Sequence, residues 1–163
     1  MLTLAESHDL PNSKGNSQNI EYLELKFMSP SGVTALPKGS LLCIDDDQSV
    51  LECEKVFLET FGYTIVTASS GLEGLKLATL HSFEVVIVDY SMPEMNGQEF
   101  AIAMRRLKPL APIIMLSGEA NLPEQALKVV DAFVPKGYLA SRLLPTIELL
   151  CGSDSLPSYS YDA

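Results

Sequence analysis

The chain has no run of residues apolar enough to span a bilayer. Among its 163 residues the longest uninterrupted apolar runs are about five, against the ~20 that a spanning helix needs. The opening MLTLAESHD lacks the basic start and apolar stretch of a secretion signal. Cysteine is scarce as well. Cys43, Cys53 and Cys151 are an odd number with no CxxC spacing, which argues against a disulfide framework or a zinc site and for reduced thiols in the cytosol. Cys43 and Cys53 fall in apolar patterns and are expected in the core. Positive charge is also short: 11 Lys and Arg stand against 21 Asp and Glu, a net charge of −10. The basic residues cluster only in RRLK at 105–108, so direct nucleic-acid binding is not expected. His8 and His81 have no acidic or thiol neighbours at ligand spacing and are expected at the surface. The expectation is a cytoplasmic protein that binds neither nucleic acid nor membrane.

What is present suits one globular domain: 47% of residues are hydrophobic and 20% charged, enough for a chain of this length to bury roughly two thirds of its unfolded surface. Residues 1–39 hold LPNSKGNSQN and SPSGVTALPKGS, rich in Ser, Asn, Pro and Gly, and are expected to form an N-terminal extension that is disordered or partner-binding. Between these stretches IEYLELKFM, residues 20–28, is open to three readings: an added strand, a short amphipathic helix, or a partner-binding segment. At the other end GSDSLPSYSYDA predicts a polar C-terminal tail over 152–163 with no second folded domain after it.

Regularity begins at residue 40 and predicts a domain over 40–151. SLLCI is a short apolar strand, and QSVLECEKVFLETFG is a helix that stops at Gly62. YTIVTA, FEVVIVD, APIIMLS and DAFVP follow as strands. The helices GLEGLKLATLH, GQEFAIAMRRLK, LPEQALKVV and LASRLLPTIELLC alternate with them, the last of these having to accommodate Pro145. Strands that are apolar throughout suit a parallel sheet covered on both faces. Five strand–helix pairs predict an α/β, flavodoxin-like, doubly wound sheet of five parallel strands with five helices, (βα)5. In such a sheet ligands bind beyond the carboxyl ends of the strands, where strand order reverses.

The polar residues at those ends are Asp45, Asp46 and Asp47 after the first strand, Asp89 after the third, Ser117 after the fourth and Lys136 just past the fifth. Crowded carboxylates raise one another's pKa unless a cation compensates. Oxygen donors without histidine or thiolate favour Mg2+ over zinc, and Mg2+ usually shares its shell with phosphate oxygens. Lys136 can then place a point charge on a phosphoryl oxygen, Ser117 can donate a hydrogen bond to another, and a carboxylate in line with phosphorus can act as nucleophile. Asp47 is also read as an ordinary N-cap for the helix beginning at Gln48. Pro93 and Gly97 are read as shaping the loop after the third strand, and Glu119 as flanking the cleft.

IDDD after the first strand, VIVDYSMPEMNG around Asp89, IIMLSG around Ser117 and FVPKG around Lys136 occur together and in order. On these motifs the stretch from about 40 to 151 resembles the receiver domain of two-component response regulators, similar to the stand-alone chemotaxis type. The resemblance implies a phosphorylation-dependent signalling switch: Asp89 accepts a phosphoryl group from a histidine kinase or histidine phosphotransfer protein. It implies that Asp46, Asp89 and the backbone carbonyl of Ser91 bind Mg2+ directly, and that Asp45 does so mostly through a metal-bound water. It further implies that Ser117 and Lys136 contact the phosphate, that Ser117 shifts after transfer, and that Phe133 then turns inward. Output would pass by protein contact through the fourth and fifth helices to an unidentified target, from a monomer or a homodimer, with no independent substrate turnover.

Three positions depart from the family's commonest pattern. Pro135 precedes Lys136 and Gly137 follows it, where proline usually follows the lysine; Ser117 replaces Thr; Phe133 replaces Tyr. Two alternatives stand beside the switch. One is a phosphorylation-independent module that keeps the receiver shape. The other is a Mg2+-dependent phosphatase of the haloacid dehalogenase type using Asp45, Asp47, Ser117 and Lys136, against which counts the lack of a further acidic pair at a strand end after the lysine.

Overall fold

The computed structural model describes residues 37–152. The expectations for residues 1–36, His8 among them, and for the tail from 153 lie outside the described residues. Five strands and five helices alternate: β1 (Ser40–Ile44), α1 (Gln48–Glu59), β2 (Thr64–Ala68), α2 (Gly71–Leu80), β3 (Val85–Asp89), α3 (Gly97–Leu107), β4 (Ile113–Ser117), α4 (Glu124–Leu127), β5 (Ala132–Pro135) and α5 (Leu144–Cys151). All strand pairs are parallel and the order is β2-β1-β3-β4-β5. The chain therefore moves one way from β1 to β2 and the other way from β3 onward. The reversal places the carboxyl ends of β1 and β3 side by side, at the point where such sheets bind ligands.

β3 and β4 are buried at every residue, as central strands covered on both faces must be. The period of two along a strand divides the core in two. Leu41, Cys43, Val85 and Ile87 pack with Leu51 and Leu58 of α1 and Ile147 of α5. Leu42, Ile44, Val86 and Val88 pack on the other face with Phe100, Ala101 and Met104 of α3. None of the described helices is long and apolar enough to cross a membrane.

The helix starts follow from capping chemistry. Asp47 accepts the Ser49 N–H at 2.8 Å as the N-cap of α1, the role read for it from sequence. Asn96 and Glu99 form a reciprocal capping box at α3. Gly62, past the end of α1, has φ +89°, a backbone region open to glycine and strained for other residues.

Three local expectations are corrected. The fourth helix, expected across LPEQALKVV, is one turn over Glu124–Leu127 with no side-chain cap. The residues expected to close it are held by Arg105 of α3, which donates to the Val129 carbonyl at 3.2 Å and to the Asp131 carboxylate at 2.5 Å while also bonding the carbonyls of Pro109 (3.2 Å) and Ala111 (2.6 Å) before β4. The last helix, expected from Leu139, begins at Leu144. A 3-10 turn over Lys136–Tyr138 and a π turn over Leu139–Leu143 precede it. Pro145 has no N–H to continue an α-helical ladder backward, so the preceding turn widens. Finally, Cys43 is buried but Cys53 is exposed, and the inward position next to it belongs to Glu54.

Candidate functional site

The strand ends bring their polar residues together. Asp45, just beyond β1, is 2% exposed. Its Oδ1 accepts the Asp47 N–H at 2.9 Å and its Oδ2 accepts from Lys136 Nζ at 2.6 Å. Asp89, the last residue of β3, is 4% exposed. Its Oδ1 lies 2.8 Å from the same ammonium, and its Oδ2 accepts the Ser91 N–H at 2.8 Å. Lys136 thus spans two buried carboxylates from different strands, one of them 91 positions earlier in the chain. Burial pulls the Lys136 ammonium down, but the hydrogen bonds from Asp45 and Asp89 and their charges outweigh it and raise its pKa. It therefore stays charged at neutral pH.

Asp46 is exposed and joins the other two: carboxylate oxygens of Asp45, Asp46 and Asp89 lie within 4.8 Å of one another. All the donors are carboxylate oxygens, a set suited to a hard cation such as Mg2+ and unsuited to one that prefers nitrogen or sulfur. Asp47, which the phosphatase alternative pairs with Asp45, is occupied in capping α1 and is not part of the trio.

Ser117 closes β4 and is completely buried; its Oγ accepts the Glu119 N–H at 3.0 Å. That leaves the hydroxyl hydrogen free to donate. The sheet register sets Asp89 opposite Leu116 and Ser117 opposite Pro135, the residue before Lys136. Ser117 therefore lies one step beyond Asp89 along the same edge. Phe133 pairs with Met115 in register and packs half-buried against a small cluster of Met115, Leu122 and Ala126. His81 is exposed.

Gly97 opens α3 directly beneath Asp89. A Cβ built there would collide with the Asp89 carbonyl oxygen and come within 2.9 Å of Tyr90 Cα, and the Gly97 N–H donates to the Tyr90 carbonyl at 2.9 Å. The glycine read as shaping the loop is what lets α3 start against the backbone of Asp89.

One residue of this region, placed at a helical interval of α1 from the sequence, was given no role there. Glu54 sits on the inward stripe of α1 between Leu51 and Leu58 and is 4% exposed, with Oε1 lacking a hydrogen-bond partner. Burial, then repulsion from Asp45, pushes its carboxyl up to about 7. Lys136 opposes this, Asp89 adds to it, and a hydrogen bond with Cys43 opposes it. The i, i+3, i+7 spacing of Leu51, Glu54 and Leu58 was the available signal.

Comparison with known proteins agrees with this geometry. The family model described as the response regulator receiver domain matches residues 41–148. The chain is 34% identical over 84 residues to the transcriptional regulatory protein GlrR of Escherichia coli, covering 52% of this chain and 19% of that protein. It is 25% identical over 113 residues to the cell cycle response regulator CtrA of Brucella ovis, covering 68% and 49%. The chain thus spans half or less of the length of these relatives. Among solved structures, the response regulator TrrA of Thermotoga maritima, in complex with Mg2+–BeF, matches with a TM-score of 0.65 at 30% identity over 68% of this chain and 97% of that one. The chemotaxis protein CheY4 of Vibrio cholerae matches with a TM-score of 0.64 at 31% identity over 71% and 99%. Sheet order, strand-end chemistry and family match converge, and the chain belongs to the response regulator receiver domain family.

Proposed function

We propose that this receiver domain is a phosphorylation-dependent signalling switch in which Asp89 accepts a phosphoryl group from the phosphohistidine of a histidine kinase or histidine phosphotransfer protein. The observation that carries this is the ammonium of Lys136 set between the buried carboxylates of Asp45 and Asp89, with Asp46 beside them. Such an arrangement collects negative charge around one cation and leaves room in its electrostatics for a second, the condition for phosphoryl transfer.

Asp45, Asp46, Asp89 and the backbone carbonyl of Ser91 would hold Mg2+, Asp45 mostly through a water. When bound, Mg2+ supplies the charge that offsets the crowded carboxylates and the phosphoryl oxygens. An Asp89 carboxylate oxygen attacks phosphorus; the O–P bond forms as the P–N bond to the donor imidazole breaks, and the electron pair returns to that nitrogen. Lys136 keeps its charge and meets a phosphoryl oxygen, and the Ser117 hydroxyl donates to another.

The added phosphoryl group brings about −1.5 to −2 charges next to a hydroxyl that already holds the Glu119 N–H. Ser117 moving toward the phosphate draws the segment after β4 with it, and Phe133 turns inward from its cluster with Met115 and Leu122. The altered surface is read by a protein partner in the cytoplasm, the domain acting as monomer or homodimer. The only chemistry is acceptance and loss of its own phosphoryl group.

Incubating the protein with Mg2+ and acetyl phosphate tests this by intact mass. One base-labile phosphoryl group is expected on the wild type and none on Asp89→Asn. An unmodified wild type would leave the phosphorylation-independent alternative, and a modified Asp89→Asn would assign the acceptor to another residue.

A further inference from the structure

Glu54 is a buried acid that the phosphoryl chemistry above does not use. It lies on the wall of an apolar cavity of about 580 Å3 between α1 and the π turn, and Lys136 lines the same cavity. A stripe that runs Leu51, Glu54, Leu58 would ordinarily carry an aliphatic residue in its middle, because an unpaired buried carboxylate is costly. Four groups from the surrounding elements act on it: Cys43 of β1 hydrogen-bonds it, Asp45 past β1 and Asp89 at the end of β3 repel its charge, and Lys136 past β5 attracts it. Lys136, which bridges Asp45 and Asp89, lines the same cavity as Glu54, so Glu54 shares one electrostatic field with the acidic trio. Its orphaned Oε1 is what a neutral carboxyl tolerates far better than a carboxylate.

Resting on the reading of Asp45, Asp46 and Asp89 as a divalent-cation site, we propose that Glu54 is a fourth acid of that site: it holds a proton while the trio lacks a cation and releases it to solvent when a cation binds. Glu54 lies outside the group of converging carboxylates, so it acts through the field. A dication at the trio offsets the repulsion from Asp45 and Asp89 and leaves the attraction of Lys136. The O–H bond of the carboxyl then breaks heterolytically and buffer takes the proton. By reciprocity, removing that proton strengthens cation binding. Placed near neutrality by its surroundings, the residue makes the domain's hold on Mg2+ depend on pH in the range where cells work.

Calorimetric titration of MgCl2 into the full chain, in two buffers of different ionisation enthalpy, tests this. At about pH 7 part of a proton should be released per Mg2+, and affinity should rise by up to ~10-fold between about pH 6 and pH 8, the effect of a one-unit fall in pKa. Glu54→Gln should bind Mg2+ without the release and with a flattened pH profile. Glu54→Gln releasing as many protons as the wild type would overturn the proposal. A wild type that binds no Mg2+ at any pH would instead overturn the cation site on which it rests. Should Glu54→Gln not fold, the 13C resonance of the Glu54 carboxyl in the wild type serves: its midpoint should fall on saturation with Mg2+, and an unmoved midpoint overturns the proposal.

Discussion

Gly97 and Asp89 meet backbone to backbone, with the carbonyl oxygen of Asp89 in the space that a Cβ on residue 97 would need. Both of the other nearest atoms, Tyr90 Cα and the Asp89 carbonyl carbon, are also main chain, so no side-chain rotation can relieve the crowding. Gly97→Ala should cost about 1–3 kcal/mol, the usual range for overpacking, and should slow phosphorylation by acetyl phosphate because Asp89 is pushed from its place. Gly118→Ala is the control: nothing lies within 4 Å of the added carbon. Urea unfolding midpoints of the two variants should separate clearly, and equal midpoints would refute the role given to Gly97.

Removing Lys136 strands two carboxylates. With Asp45 and Asp89 both nearly buried, Lys136→Met should lose about 3 kcal/mol in chelator, the cost of leaving buried charge unpaired. Added Mg2+ should restore more stability to this variant than to the wild type, since it supplies the missing positive charge. Thermal unfolding with EDTA and with MgCl2 measures both. A variant as stable as the wild type in EDTA would show that the bridge contributes little.

Glu54 gives stability a pH dependence with a defined sign. Its folded pKa of about 7 lies above the ordinary 4.5, so its contribution is fully present below about pH 4.5 and is lost as pH rises through about 7. The whole effect is on the order of 3 kcal/mol. In chelator, Glu54→Gln should therefore gain on the wild type between about pH 5 and pH 8, read from urea midpoints at the two ends. Parallel profiles for the two proteins would contradict the burial of a titrating carboxyl.

Much of the architecture was legible because two periodicities carried it. Continuous apolar runs marked β3 and β4 as central strands, and the residues closing the runs, Asp45, Asp89 and Ser117, were those the sheet edge gathers. Lys136 was placed by the same logic although its loop departs from the usual pattern. What was not legible depended on contacts distant in sequence. The fourth helix stops at Leu127, and the chain is pinned soon after at Asp131, which exchanges hydrogen bonds with Ile113 of β4 and receives Arg105 of α3. Glu54 was hidden by its own chemistry: a charged residue beside a cysteine suggests the reverse of the observed burial, and helical phase alone distinguished Cys53 from Glu54.

The ammonium that joins Asp45 to Asp89 follows directly on β5, a strand at the edge of the sheet. Because β5 pairs with β4 alone, at one side of the sheet, the two ion pairs fasten this side strand to its centre, and fraying of β5 would leave Asp45 and Asp89 facing each other without a counterion.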